Sequence, residues 1–253
     1  MSLATRPLHG AAALCLGIAA LASGGPAEAP NTLSAKERTE GFRLLWDGVS
    51  TRGWRAAKGT DFPASGWEIK DGALSVVESG GAESRAGGDI VTEASFAAFD
   101  LRFEFRLTPG ANSGVKYYVD TELNRAEGSA IGLEFQLLDD ARHPDAKQGR
   151  EGNRTLASLY DLIPAAASKP TRPIGEWNEA RIVADGRHVE HWLNGAKVLE
   201  YERGSQAFRT LVAASKYKVW PAFGERPSGP ILLQDHGNRV SFRSLRIREL
   251  KPR

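Results

Sequence analysis

The chain has 253 residues, with 33 Lys and Arg against 31 Asp and Glu and a formal charge of +2. Hydrophobic residues make up 41% and charged residues 25%, an ordinary globular composition that excludes a disordered, collagenous or multi-span membrane chain. Near-balanced charge removes the electrostatic basis for a nucleic-acid partner, and a single cysteine excludes a disulfide framework or a cysteine-based zinc site.

In chain order, residues 1–22 read as a secretory signal peptide. Arg6 is basic, residues 11–22 are an apolar run, and Ala20-Leu21-Ala22 is an A-x-A cleavage pattern. The run is too short to be a comfortable membrane span. The only cysteine, Cys15, lies inside it, and Leu14 stands where a lipoprotein signal needs a small residue. A secreted or periplasmic protein is therefore expected. Residues 23–40, rich in Gly, Pro and Ala and then charged, read as a linker, and residues 41–253 as one domain.

That domain reads as strands. Phe99, Leu101, Phe103, Phe105 and Leu107 alternate with Asp100, Arg102, Glu104 and Arg106, as in an antiparallel sheet with one buried face. Asp71-Gly72 and Asn194-Gly195 each join two short strands and predict type I′ hairpins. Further strands are expected at 42–46, 89–93, 113–119, 131–138, 178–184, 230–235 and 239–249, the last with a bulge near Arg243-Ser244. Trp177 and Trp192 read as core residues. One helix is expected, capped by Ser205, with Phe208, Leu211 and Val212 on one face and its end near Lys216. The sum predicts an all-β, two-sheet antiparallel jelly-roll sandwich with one short helix.

Two strands carry unusual polar faces. Gly132, Glu134 and Gln136 share a face opposite Ile131, Leu133, Phe135 and Leu137, and side chains at i and i+2 lie close enough to address one ligand. Lys116 and Tyr118 share a face of the preceding strand. If the two faces join, a carboxylate, an amide, an ammonium and a phenol stand on one surface, which suits a carbohydrate; ordinary cross-strand Lys–Glu pairing is the competing explanation. Among the histidines, His143 lies in a polar loop, His188 starts a hairpin, and the facing of His191 is open. His236 shares a face with Gln234. No H-E-x-x-H or similar spacing is present, so a metal is unspecified; the loop carboxylates Asp139, Asp140, Asp145 and Asp161 leave a divalent cation open. There is no G-x-S-x-G elbow, Walker loop or Rossmann glycine pattern.

Ordered blocks along residues 40–250 carry a resemblance. They run Gly41-Phe42-Arg43-Leu44-Leu45-Trp46-Asp47-Gly48, Gly88-Asp89-Ile90-Val91-Thr92, the strand from Phe99 to Leu107, Asn112-Ser113-Gly114-Val115, Leu133-Glu134-Phe135-Gln136-Leu137-Leu138-Asp139-Asp140, Ser158-Leu159-Tyr160-Asp161, Gly175-Glu176-Trp177-Asn178-Glu179, His191-Trp192-Leu193-Asn194-Gly195 and Leu233-Gln234-Asp235-His236-Gly237. Together they resemble the secreted 3-keto-disaccharide hydrolase domain, on a concanavalin-A-like sandwich.

The resemblance implies cleavage of glycosides already oxidised at C3. The ketone acidifies the C2 hydrogen, a base removes it, and the glycosidic oxygen leaves C1 by elimination before water adds back. It implies Glu134 as base or metal ligand, Gln136 and Asn112 on sugar hydroxyls, and Lys116 or a divalent metal ion on the enediolate oxygen. His191 or His236 would carry the proton to the leaving group, oriented by Asp139 or Asp235. Tyr118 and Tyr160 would stack on the sugar, and Gln234 would join the binding set. It also implies a small carbohydrate substrate and a sugar 3-dehydrogenase as functional partner. Two other classes compete: a non-catalytic lectin-like module on the same fold, and a laminarinase-type glycosidase. The second is disfavoured because Gln136 stands where the central Asp of its carboxylate motif belongs.

Overall fold

The alternating segments pair into two antiparallel sheets in a computed structural model that describes Met1 and residues 29–81, 87–123, 129–220 and 222–251. The elements are α1 (Ala35–Thr39), β1 (Arg43–Leu44), β2 (Trp54–Ala56), β3 (Trp67–Lys70), β4 (Ala73–Val76), β5 (Ile90–Thr92) and β6 (Phe99–Leu107). They continue with β7 (Asn112–Asp120), β8 (Ile131–Leu138), β9 (Asn178–Ala184), β10 (His188–Leu193), β11 (Ala196–Glu202), α2 (Gln206–Ala213), β12 (Leu232–Leu233) and β13 (Val240–Glu249). The larger sheet runs β11-β10-β9-β6-β13-β4-β3, with β1 also paired to β13; the smaller runs β2-β5-β12-β7-β8.

The expected two-sheet sandwich is therefore the fold. The strands at 131–138 and 178–184 have the predicted bounds. Both hairpin turns take the expected positive φ, at Asp71 and Gly72 and at Asn194 and Gly195. The phase change in β13 is a register shift between Arg243 and Arg246, with Ser244 at φ 53°.

Between the sheets lies an aromatic core. Phe103 meets Phe135 edge-on at 5.8 Å and Phe99 meets Tyr117 at 6.2 Å, one partner from each sheet. Each such ring, fully buried, contributes about 1.5–3 kcal/mol. The outward face of β6 is polar and grades from the buried Asp100 to the exposed Arg106. Asp100 is fully buried there, held by Arg181 at 2.8 Å, Arg248 at 3.1 Å and Arg102 at 3.3 Å.

Several expectations change. Trp177 and Trp192 are not core residues: both are half-buried beneath guanidinium groups, Arg243 at 4.1 Å from Trp177 and Arg181 at 5.3 Å from Trp192. There is a second helix. The charged segment read as linker contains α1, whose Ser34 and Glu37 form a reciprocal capping box. Glu37 also pairs with Arg246, and Asn31 donates to Gly72 O at 2.8 Å, so residues 31–37 are fastened to the larger sheet. The expected signal peptide lies, but for Met1, outside the described residues. Among the described residues no helix is long and apolar enough to cross a membrane.

Candidate functional site

The site is the outer face of the smaller sheet. In β8, Leu133, Phe135 and Leu137 enter the core, so Gly132, Glu134 and Gln136 face the other way. In β7, Val115 and Tyr117 enter the core, leaving Asn112, Gly114 and Lys116 on the face shared with Glu134. Antiparallel register sets Lys116 directly opposite Glu134 and Gly114 opposite Gln136.

Asn112, Lys116, Gly132, Glu134 and Gln136 line a cleft of about 270 Å³, together with Ser129, Ile131, Tyr160, Lys216, Tyr217, Trp220, Gln234 and His236. The cleft is walled because residues 156–163 run along β8: Gln136 N donates to Ser158 O at 3.2 Å and Tyr160 N to Glu134 O at 3.1 Å. The short helical turn Lys216–Val219, capped by Ser215, adds a second wall. It is tied to the first by Lys216 N donating to Asp161 Oδ2 at 2.9 Å, and by Lys216 Nζ lying 4.3 Å from the Tyr160 ring centre.

Each polar group is positioned. Lys116 Nζ stands 3.6 Å from the fully buried Asp89 carboxylate and donates to Ala130 O at 3.3 Å. Asp89 in turn accepts from Asp235 N at 3.0 Å. The Gln136 amide lies 3.2 Å from Asn112 Oδ1. With its oxygen and nitrogen exchanged it donates to Glu134 Oε1 of β8 at 3.2 Å and to Ser113 O of β7 at 3.1 Å, and these two acceptors favour that orientation. Tyr160 donates to Asp145 Oδ2 at 2.8 Å, and Arg154 bridges Asp145 and Asp161 at 2.9 and 2.7 Å. Burial, then the charges of Glu134 and Asp145, push the Tyr160 phenol far above its usual range, so it stays protonated. His236 meets His143 edge-on at 5.9 Å, and its Nδ1 is buried without a hydrogen-bond partner. Burial and then His236 hold His143 below its ordinary value, against the pull of Asp145 and Asp139.

Of the residues expected from sequence, Glu134, Lys116, Asn112, Gln136, Tyr160, Gln234 and His236 come together here. Four do not. His191 is fully buried between the sheets, its Nε2 2.7 Å from Tyr117 Oη and its Nδ1 donating to Ala157 O at 3.0 Å. Tyr118 leaves the Lys116 face because β7 shifts register between Tyr117 and Asp120. At φ 51° Tyr118 turns its ring into the core, where its hydroxyl donates to Ala97 O at 2.7 Å. Asp139 accepts from Gly110 N at 2.8 Å, Ala141 N at 3.2 Å and Arg142 at 3.2 Å. Asp235 is fully buried and accepts from the backbone of Gly88 at 3.0 Å and Gly237 at 2.9 Å. Both carboxylates fasten loops.

Sequence reasoning missed Lys216, Tyr217 and Trp220, because it ended a helix near Lys216 and assigned no element or role to the residues that follow. Their signal was the run Lys-Tyr-Lys-Val-Trp, a dense mix of cations and rings just past a cap. The loop carboxylates considered for a cation are engaged: Asp140 by Lys169 at 3.0 Å, Asp145 and Asp161 by Arg154. Among the described residues His188, Glu190 and Glu200 cluster within 4.8 Å, but on β10 and β11, and Lys197 Nζ already bridges Glu190 and Glu200 at 3.3 and 2.6 Å.

The sequence pattern of the 3-keto-alpha-glucoside-1,2-lyase-like domain matches residues 41–248. A 3-keto-disaccharide hydrolase of Bacteroides thetaiotaomicron is 37% identical over 231 residues, 83% of this chain and 79% of its own length. A candidate glycosyl hydrolase of Parabacteroides distasonis, solved at 1.70 Å, superposes with a TM-score of 0.76 at 27% identity, over 88% of this chain and all of that one. A second from the same organism gives 0.57 at 26% identity, over 78% and 99%.

Proposed function

The chain belongs to the 3-keto-alpha-glucoside-1,2-lyase-like domain family, and from that premise we propose that it cleaves glycosides carrying a ketone at C3 by elimination and rehydration. Membership makes it a carbohydrate-active enzyme acting on glycosides; the route and the roles that follow are our reading.

The supporting observation is the convergence of Glu134, Lys116 and Lys216 on one cleft lined by the amides Asn112, Gln136 and Gln234. Glu134 is the base for the C2 hydrogen. Removing it puts negative charge on the C3 oxygen, and Lys116 and Lys216 line the same cleft and offset that charge. Asn112, Gln136 and Gln234 hold ring hydroxyls, and Tyr160 and Trp220 offer faces to the sugar. Expulsion of the C1 oxygen needs an acid and the entering water needs a base. His236 is the imidazole of the cleft and takes one of these transfers. Secretion or a periplasmic location belongs to the same proposal, as does a sugar 3-dehydrogenase that supplies the ketone.

The test is incubation with a 3-keto-glucoside and with its unoxidised parent, each with and without chelator. Release from the keto form alone is the expected result. Release from the parent would overturn the route, and sugar binding without release would make the chain a lectin-like module. Loss of release with chelator would add a divalent cation to the site.

A further inference from the structure

The cleft contains a second phenol besides Tyr160. Tyr217 lines the cleft, yet its side chain is only 3% exposed. Its ring is clamped by Phe223 in a parallel stack, 4.0 Å between centres and 10° between planes. Its backbone is fixed by Ser215 Oγ, which accepts from Tyr217 N at 3.0 Å. Tyr160, the other phenol of the cleft, spends its proton on Asp145. The Tyr217 hydroxyl enters no hydrogen bond among the described residues. A rigid phenol facing a polar cleft without a protein acceptor is placed to donate to a ligand.

We propose that Tyr217 is the catalytic acid that protonates the departing glycosidic oxygen, an assignment that rests on the elimination route above. The C2 proton passes to Glu134 while its bonding pair forms the enediolate. Collapse of the enediolate makes the C1–C2 double bond and breaks the C1–O bond, whose electron pair stays on the leaving oxygen. The Tyr217 proton joins that oxygen, and the phenolate regains a proton from the Glu134 carboxylic acid or from water. Nothing is oxidised or reduced, and no co-reactant is needed. Burial, followed by the charge of Glu134 and then that of Asp161, raises the Tyr217 phenol well above its ordinary value. Such a phenol remains protonated until a strongly basic oxygen appears, and a departing sugar alkoxide is one. Lys216 Nζ, 5.3 Å from the Tyr217 ring centre, offsets charge on the transient phenolate. His236 is then left to handle the entering water.

The test compares leaving groups. A 3-keto-disaccharide expels a basic alkoxide and needs the acid; a 4-nitrophenyl 3-keto-glucoside expels a weakly basic phenolate and does not. Tyr217→Phe, which keeps the stack on Phe223, should lose about 100-fold or more in kcat/KM on the disaccharide. On the nitrophenyl substrate the loss should stay below about tenfold. In heavy water the variant should also return unreacted disaccharide labelled at C2, because Glu134 still removes the proton while expulsion stalls. Equal losses on both substrates, or no loss on either, overturn the assignment and leave the elimination route standing. A wild-type protein that cleaves neither keto substrate overturns both. If Tyr217→Phe does not fold, Phe223→Leu loosens the clamp and keeps the hydroxyl; a loss selective for the disaccharide supports the role, and an unselective one removes it.

Discussion

Gly114 stands directly beneath the Glu134 carboxylate: a Cβ on Gly114 would lie 2.2 Å from Glu134 Oε1 and 2.9 Å from its Cγ. The absence of a side chain on β7 lets the central carboxylate of β8 lie across its neighbour strand. Gly114→Ala should therefore displace Glu134 without breaking the sheet, since alanine suits the strand and the displaced atoms belong to a flexible side chain. The expected result is at least about a tenfold fall in kcat, the penalty for a misplaced reacting group. Thermal unfolding should stay within a few degrees of wild type. Unchanged turnover would show that the position of this carboxylate does not matter.

Glu134→Gln keeps the shape and removes the base. Turnover of a 3-keto-glycoside should drop by about 100-fold or more, while the unfolding midpoint barely moves. Exchange of the C2 hydrogen with heavy water should stop as well. Persistent exchange in the variant would assign the proton abstraction to another group.

The face carrying Glu134 could be read from alternation alone, because β8 is regular from Ile131 to Leu138. Its partner strand could not be read to its end. Tyr118 breaks the period with a positive φ, and alternation offers no warning of a bulge that a buried ring pulls into the core. His191 was ambiguous for a related reason, since its strand carries a bulge between His191 and Trp192. Lys216 and Tyr217 reach the cleft through tertiary contacts with Asp161 and Phe223, which lie 55 positions before Lys216 and on the far side of a turn. Neither strand nor helix period encodes that approach. Asp139 and Asp235 show the converse. Their positions at strand ends beside site residues suggested function, yet loop backbone N–H groups claim both carboxylates.

Lys116 and Asp89 form a buried pair, 5% and 0% exposed. Lys116→Met leaves the Asp89 carboxylate without its cation and should cost about 3–5 kcal/mol in urea unfolding. Adding Asp89→Asn removes the stranded charge, so the double variant should recover part of that loss. Keto-glycoside turnover should remain low in both, because the cation is gone from the cleft either way. Additive stability losses would mean that the two groups do not interact.

His191 makes stability depend on pH without touching substrate. Burial depresses its imidazole to about 4, against a smaller upward pull from the Ala157 carbonyl bond. The carbonyl can only accept, so Nδ1 carries the proton and Nε2 accepts from Tyr117 Oη. The unfolded chain binds a proton near pH 6.5, above the folded value. The neutral ring thus contributes its full stability above about pH 6.5. That contribution is lost progressively as pH falls to about 4, up to about 3 kcal/mol in total. Urea unfolding at pH 7.5, 6 and 5 should show the decline. His191→Phe should flatten this part of the curve, at a lower plateau because the Ala157 carbonyl loses its donor. A variant whose stability falls with acid as steeply as wild type would place the titrating group elsewhere.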